Sequence, residues 1–556
     1  MSLRNRLPIG CVASSMIVSF CIADELPRRQ AAPIEEMRVC DQYGLAFFYI
    51  PGTNTCLRLG GTVVGEWQTW STSYRMSRNI IATDNPVFVG PSGGGNPLGL
   101  PGHVPNLGYA NARSGDSGGF VGIGRIEMDA RAPTDYGTLR AFARLEAYFG
   151  SDSSAATGSI SGAQIFGGAN FSNTNVFRRP ARESTILSKG FVQFGGLTAG
   201  RAQSFFDFYT DNINWEALRG SNATVGMLAY TYSFRDVASL TFSLEDNVSR
   251  RGFIGSTIGA FNYIAALNGL TGAAADAAAA AWGTRFTGVP DGVQIPEIVG
   301  AFRIDRPWFA FQLSGAAHQL RTSTYTRNAS VATPVVGLPL GTAIPAASQD
   351  DYGYAFQAGA QFDLASWAPE HFPQGDKLWI QGTYARGAVG YLMGNNLNFN
   401  GGPVNGNAFY GYGAGGVKAS NGWEFSSFDC VWTASGHCDK SIGWSVLAAF
   451  KHYWTPTLSS GFYGSYLALY YSPSAIADFG GGVGAINTSE YRIGSNLVWT
   501  PIKNFDLGGE LMYLRDNHHS RPVGLIPDVA LWSVGLPSWK GVNATVEGRL
   551  RVQRSF

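Results

Sequence analysis

The run GRIEMDARAPTDYGTLRAFARLEAYF, residues 124–149, alternates with a period of two. Arg125, Glu127, Asp129 and Arg131 share one side, and Ile126, Met128 and Ala130 share the other. After a turn at 133–135 the alternation resumes, with Arg140, Arg144 and Glu146 on one face and Leu139, Ala141, Ala143 and Leu145 on the next. Two is the side-chain period of a β-strand, so the run reads as a hairpin with one charged and one apolar face. In a soluble sheet the apolar face would meet another sheet and the charged face would meet water. In a membrane barrel the apolar face meets lipid, where an Arg or Lys near the midplane would cost about 2–4 kcal/mol, so the charges turn inward. An interior lined by both signs is too polar for a packed core and implies a water-filled lumen.

Working outward, the same alternation recurs along the chain. In SIGWSVLAAFKHYWTP (441–456), Ile442, Trp444, Val446, Ala448, Phe450 and Trp454 share a face, opposite Ser445 and Lys451. Trp444 and Trp454 would stand about 33 Å apart along a strand, or roughly 25 Å along the normal at a tilt of about 40°. That is the height of the outward apolar band of a membrane barrel between its aromatic girdles. YRIGSNLVWTP (491–501) turns Tyr491, Ile493, Leu497 and Trp499 one way, and Arg492 and Asn496 the other. WTP precedes a short turn in both segments. Sixteen such strands can be marked between 57–70 and 542–556. Their connections alternate between long ones (71–118, 249–296, 389–441, 518–541) and short ones (133–135, 455–457, 500–504). An outer-membrane barrel has this asymmetry, with long loops outside and tight turns on the periplasmic side; a soluble sandwich has no physical reason for it. The expected fold is an all-β transmembrane antiparallel barrel of 16 strands over 57–556, with both termini periplasmic.

Composition agrees without deciding. Charged residues are 14% of the 556, against about 25% in ordinary globular proteins, and there are 72 glycines with 13% aromatics. A large secreted β-protein would share these values. Beyond the N-terminus no apolar run approaches the ~18 residues of a membrane helix. Residues 1–23 read as an export signal, with Arg4 and Arg6 ahead of an apolar run at 9–22 and small residues at Cys21 and Ala23. Without Arg4 and Arg6 the chain is close to neutral, with 39 Asp and Glu in all. That gives no case for nucleic acid as a partner. A segment at 24–56 precedes the first strand, too short for a plug domain.

Cys11 and Cys21 fall within the signal, leaving Cys40, Cys56, Cys430 and Cys438. An even number in an exported chain favours two local disulfides, 40–56 and 430–438. The alternative is a zinc site from Cys430, His437 and Cys438, which lacks a C-x₂-C pair and a fourth ligand. No H-E-x-x-H or phosphate-binding loop occurs, the chain does not read as an enzyme, and neither metal nor cofactor is expected. His518-His519 fall in an expected extracellular loop, and AAADAAAAAW (273–282) reads as a short loop helix. Two further readings compete. The long Gly-, Pro-, Asn- and Ser-rich loops could serve surface recognition or adhesion. A substrate-specific channel would need aromatic residues along a solute path, for which Tyr384 and Tyr466 are candidates if they face inward.

CDQYGLAFFYIPGTNTCLRLGG (40–61), DYGTLRAFARLEAYF (135–149), FVQFGGLTAGRAQSFFDFY (191–209) and GRLRVQRSF (548–556) together resemble the alphaproteobacterial porins of rhizobia and their relatives. The pieces occur in order over nearly the whole chain after the signal, and the first, with its two cysteines, is the most specific. The resemblance implies a homotrimeric, sixteen-stranded general-diffusion porin in the outer membrane, passing ions and small hydrophilic solutes without a cofactor. It also implies that the barrel-assembly machinery reads the last strand with its terminal aromatic, Phe556. Arg554, on that strand's outward face, then belongs at the polar rim. Such porins fold the loop after the fifth strand inward, here about 209–224 (YTDNINWEALRGSNAT), with Asp207, Asp211 and Glu216 on or near it. Arg201, in AGRAQ, matches the place of a wall arginine, with Arg125, Arg140 and Arg144 as partners across the pore. Opposed charges there would set a transverse field favouring small polar solutes.

Overall fold

The computed structural model describes residues 38–44, 46–70, 118–150, 182–234, 237–247, 250–255, 287–290, 292, 294–327, 343–393, 416–418, 424–426, 428–433, 436–478, 487–519 and 542–556. The expected signal (1–23) and loop helix (273–282) lie outside these residues.

Sixteen strands form one antiparallel ring. They are β1 (Cys56–Trp70), β2 (Gly118–Thr134), β3 (Gly137–Gly150), β4 (Arg182–Phe194), β5 (Leu197–Gln203), β6 (Thr224–Phe234), β7 (Ala238–Glu245) and β8 (Glu297–Arg306). They continue as β9 (Phe309–Arg327), β10 (Ala343–Asp363), β11 (Lys377–Arg386), β12 (Ile442–Thr455), β13 (Leu458–Tyr470), β14 (Thr488–Ile502), β15 (Phe505–His518) and β16 (Val542–Ser555). Each pairs with the next in sequence, β7 meeting β8 with Glu245 opposite Glu297 despite the long connection between them. The ring closes where β16 pairs with β1, from Thr62 opposite Ser555 to Trp70 opposite Glu547. Phe556 extends the closure, exchanging backbone hydrogen bonds of 3.0 and 3.1 Å with Gly61. A closed ring leaves no unpaired strand edge, which is what backbone in a lipid environment requires. All sixteen expected strands are present, with shifted ends. β5 stops at Gln203, because Ser204 N bonds to the Ala223 carbonyl at 2.9 Å and the chain leaves the wall there.

The alternation resolves as charges in and apolar groups out. Ile126, Ile493 and Leu550 are 56%, 61% and 63% exposed on the outside, whereas Asp129, Glu490 and Arg492 are at most 1% exposed inside. This is the reverse of a soluble protein, and bilayer hydrocarbon is the solvent that suits it. Trp444, Trp454 and Trp499 all point outward, the last two next to short turns. Tyr384 and Tyr466 face outward as well. Tyr384 stands in one cross-strand row with exposed Phe356 and Trp444, and Tyr466 pairs with exposed Val446. Cross-strand partners share a face, so neither tyrosine can line a solute path.

Both disulfides form, Cys40–Cys56 and Cys430–Cys438, with Cα separations of 6.0 and 5.4 Å. Sulfurs bonded to each other are not zinc ligands, which removes the alternative reading. The first clip folds the N-terminal segment back on β1, with Phe48 opposite Leu57. The Phe47 ring then lies 5.3 and 5.0 Å from the guanidinium carbons of Arg58 and Arg131.

Candidate functional site

The chain leaving β5 at Ser204 crosses the interior and returns to β6 at Thr224; we call residues 204–223 loop 3. Its first contacts are close to its root. Gln312 Nε2 donates to the carbonyls of Phe205 and Asp207 at 3.0 and 3.1 Å, and Gln357 Nε2 to that of Phe206 at 2.8 Å. Phe208 fits over Gly359, where a Cβ would stand 2.3 Å from its ring. Beyond that, the loop is pinned to strands on the far side of the ring. Tyr209 N donates to Gln381 Oε1 (2.9 Å), Arg219 N to Ser465 Oγ (2.9 Å), and Asn496 Nδ2 to the Ile213 carbonyl (2.6 Å). Trp215 N and Glu216 N both donate to the Glu510 carboxylate at 2.7 Å, which also accepts from the Tyr463 hydroxyl. Arg219, fully buried, forms a bidentate pair with Glu490 (2.6 and 2.8 Å), and Arg492 holds the Ala217 carbonyl at 2.6 Å. Charge-assisted and bidentate bonds are the strong class, and they sit where the loop is furthest from its root. An apolar cluster of Tyr209, Leu218, Trp379, Leu447, Tyr463 and Met512 fills the contact.

The loop's carboxylates serve its own shape. Asp207 accepts from Ser221 Oγ and Ala223 N at 2.6 Å and pairs with Arg250 at 2.8 Å. Asp211 has a positive φ of 55° and accepts from Asn214 Nδ2 (2.6 Å), Asn222 Nδ2 (2.8 Å) and Leu218 N (3.3 Å). Burial pushes its carboxyl above the ordinary aspartate range. Glu216 is enclosed by Arg492 and Arg549. Further segments pack on the loop from the side of the long connections. Phe206 meets Tyr391 edge-on at 4.6 Å, and Asp429, in the disulfide-clipped hairpin, accepts from Val389 N at 2.8 Å.

The arc of wall that loop 3 leaves uncovered is β1 to β4, and it is strongly charged. Arg125 pairs with Glu146 (2.7 Å) and Arg144 with Glu127 (2.7 Å), while Asp129 draws in Arg131 (2.8 Å), Arg140 (2.9 Å) and Arg58 (3.6 Å). With Lys189, which stands opposite Arg144, the described cations of β1–β4 (Arg58, Arg125, Arg131, Arg140, Arg144 and Lys189) outnumber the described carboxylates (Glu66, Glu127, Asp129 and Glu146).

Of the residues singled out in the sequence, Arg125, Arg140 and Arg144 therefore come together on the open wall. Asp207, Asp211 and Glu216 lie on or beside the loop with their oxygens already engaged. Arg201 falls elsewhere. It pairs with Gly190 and Gly226, in the same row parity as outward Leu197 and Leu228, and the opposite charge acting on it is Asp246. Glu510, Glu490 and Arg219, which anchor the loop, were not singled out. The inward parity of Arg492 and Asn496 was the one signal pointing to that far wall.

A family model described as "Porin subfamily" matches residues 26–78 and 122–532. Porin Omp2b of Brucella canis is 23% identical over 265 residues, which are 46% of this chain and 58% of that protein. Porin Omp2a of Brucella ovis is 23% identical over 302 residues, 52% of this chain and 74% of the relative. The match thus spans rather more than half of the Omp2b sequence. Among solved structures, the outer membrane channel DcaP of Acinetobacter baumannii overlaps with a TM-score of 0.48 at 11% identity, over 91% of this chain and 99% of that one. The family model spans well over half of the sequence, and the chain, a multi-pass β-barrel of the outer membrane, belongs to the porin subfamily.

Proposed function

We propose that this barrel is a general-diffusion porin, a passive channel for ions and small hydrophilic solutes, narrowed by loop 3 and preferring anions. The observation that carries the reading is the asymmetry of the lumen. Loop 3 is bonded to the β11–β16 wall, and the β1–β4 wall opposite keeps a surplus of cations. The expected transverse field between loop acids and wall arginines is replaced by a largely one-sided field, since Asp207 and Glu216 are paired with arginines where they stand and the Asp211 oxygens are taken up by hydrogen bonds within the loop. A cleft lined with one sign concentrates counter-ions. Arg125, Arg140 and Arg144 act here as lumen charges on that wall. We further propose that the barrel assembles as a homotrimer and is inserted by machinery that reads the Phe556 end of β16, whose backbone closes the ring on Gly61.

The test is conductance of the purified protein in planar bilayers under a KCl gradient. Stepwise ohmic conductance, with closures in thirds and a reversal potential of the sign set by chloride, is the expected result. Folded barrels without conductance in any salt would favour surface recognition by the long loops. A potassium-signed reversal potential would overturn the anion preference alone.

A further inference from the structure

On the side of loop 3 that faces the short turns, the loop and the β12–β16 wall enclose a recess of about 410 Å³. Its chemistry differs from that of the open wall. Trp215 from the loop and Tyr453 from β12 present aromatic rings, and Asn212, Ser459 and Gln553 present amides and a hydroxyl. The Trp215 indole is fixed in place: Arg551 lies over it at 4.5 Å, and a Cβ at Gly508 would come within 2.9 Å of it. Three charged side chains line the recess, and one of them is engaged in an ion pair among the described residues. Arg551 is paired with Glu66 (2.5 Å), and Asp506 accepts from Thr500 at 2.6 Å. Lys451 lies over the Tyr453 ring at 4.7 Å and joins no ion pair among the described residues. Within the same residues, the Ser459 and Tyr453 hydroxyls and the Gln553 amide make no hydrogen bond.

An ion gains more from the β1–β4 wall than from this recess. A sugar does not. The apolar C–H face of a pyranose packs on an aromatic ring, and its hydroxyls need the unbonded amide, hydroxyl and ammonium groups found here. The volume lies in the range of small-molecule sites, about 300–1,000 Å³. We propose that the recess binds neutral polyhydroxylated solutes of mono- to disaccharide size, as a station on the periplasmic side of the constriction. The proposal rests on the porin reading and names a solute class for the same lumen.

The test separates the two readings. Detergent-solubilised folded protein is titrated with maltose while tryptophan fluorescence is followed, which requires no current. The expected result is a saturable change in the wild type that is lost in Trp215→Phe. In Gln553→Ala it should need about tenfold more sugar, a loss of the size expected for one well-placed polar contact. In bilayers, maltose added from the periplasmic side should reduce the KCl current saturably, whereas a polyethylene glycol of equal radius reduces it in proportion to its concentration. A fluorescence response that is linear in sugar, or identical in both variants and the wild type, overturns the sugar site even if KCl conductance is normal. Saturable binding in a protein that conducts no ions would instead sink the diffusion reading and leave the site standing.

Discussion

Asp129 is the side chain on which the proposed selectivity is most directly tested. Its carboxylate is 1% exposed, and the two arginines nearest to it keep 25% and 26% of their side chains open to the lumen. Asp129→Asn removes a negative charge while leaving the guanidiniums in water, so the folding cost should fall below the roughly 3–5 kcal/mol of breaking a fully buried pair. The expected functional effect is a reversal potential shifted further towards chloride, and Arg140→Ala should shift it back; equal potentials in both variants would separate this wall from selectivity. The charge on this wall was legible in the sequence because 124–149 alternates strictly between ionised and apolar residues. Arg201 was not legible. Its neighbours in TAGRAQ are small, so alternation carries no signal about which way it faces, and only the pairing with Gly190 and Gly226 assigns it. The loop acids failed for another reason. A sequence places a carboxylate on a loop, but local amides, hydroxyls and backbone N–H groups decide where its oxygens end.

Loop 3 behaves as an element held by its ends and its crest. The contact between Phe208 and Gly359 lends itself to a test, because the three atoms nearest to a Cβ at 359 would all belong to the Phe208 side chain, at 2.3 to 3.0 Å. Gly359→Ala should lift the root of the loop from the wall and raise single-channel conductance, and Phe208→Ala alone should do so less. The double variant should return close to the wild type, because each change removes the other's conflict. Simple addition of the two effects would mean that the ring does not position the loop. At this scale the strands were easier to read than the loop. Strand existence follows from local alternation. The loop's course depends on partners such as Gln381, Glu490 and Glu510, 172 to 294 residues away in sequence.

The rhythm of long and short connections, more than any one strand, made the closed ring legible. An even number of alternating strands brings β16 back beside β1, as the pairing of Thr62 with Ser555 confirms. What the sum of charges could not give was selectivity: 40 basic against 39 acidic residues average to nothing, although the lumen divides them unevenly. An effect that arises from this division, rather than from a solute fitted to a site, must be screened by salt. The Debye length falls from about 10 Å at 0.1 M to about 3 Å at 1 M, less than the reach of a wall charge into an aqueous lumen. The proposed chloride preference should therefore be strongest under gradients centred near 0.1 M KCl and shrink steadily towards 1 M, while conductance rises. Reversal potentials at one fixed concentration ratio, measured across that range, check this directly. A preference that persists unchanged at 1 M would mean that anions bind at contact distance to particular arginines, and Arg140→Ala and Arg144→Ala would then identify which.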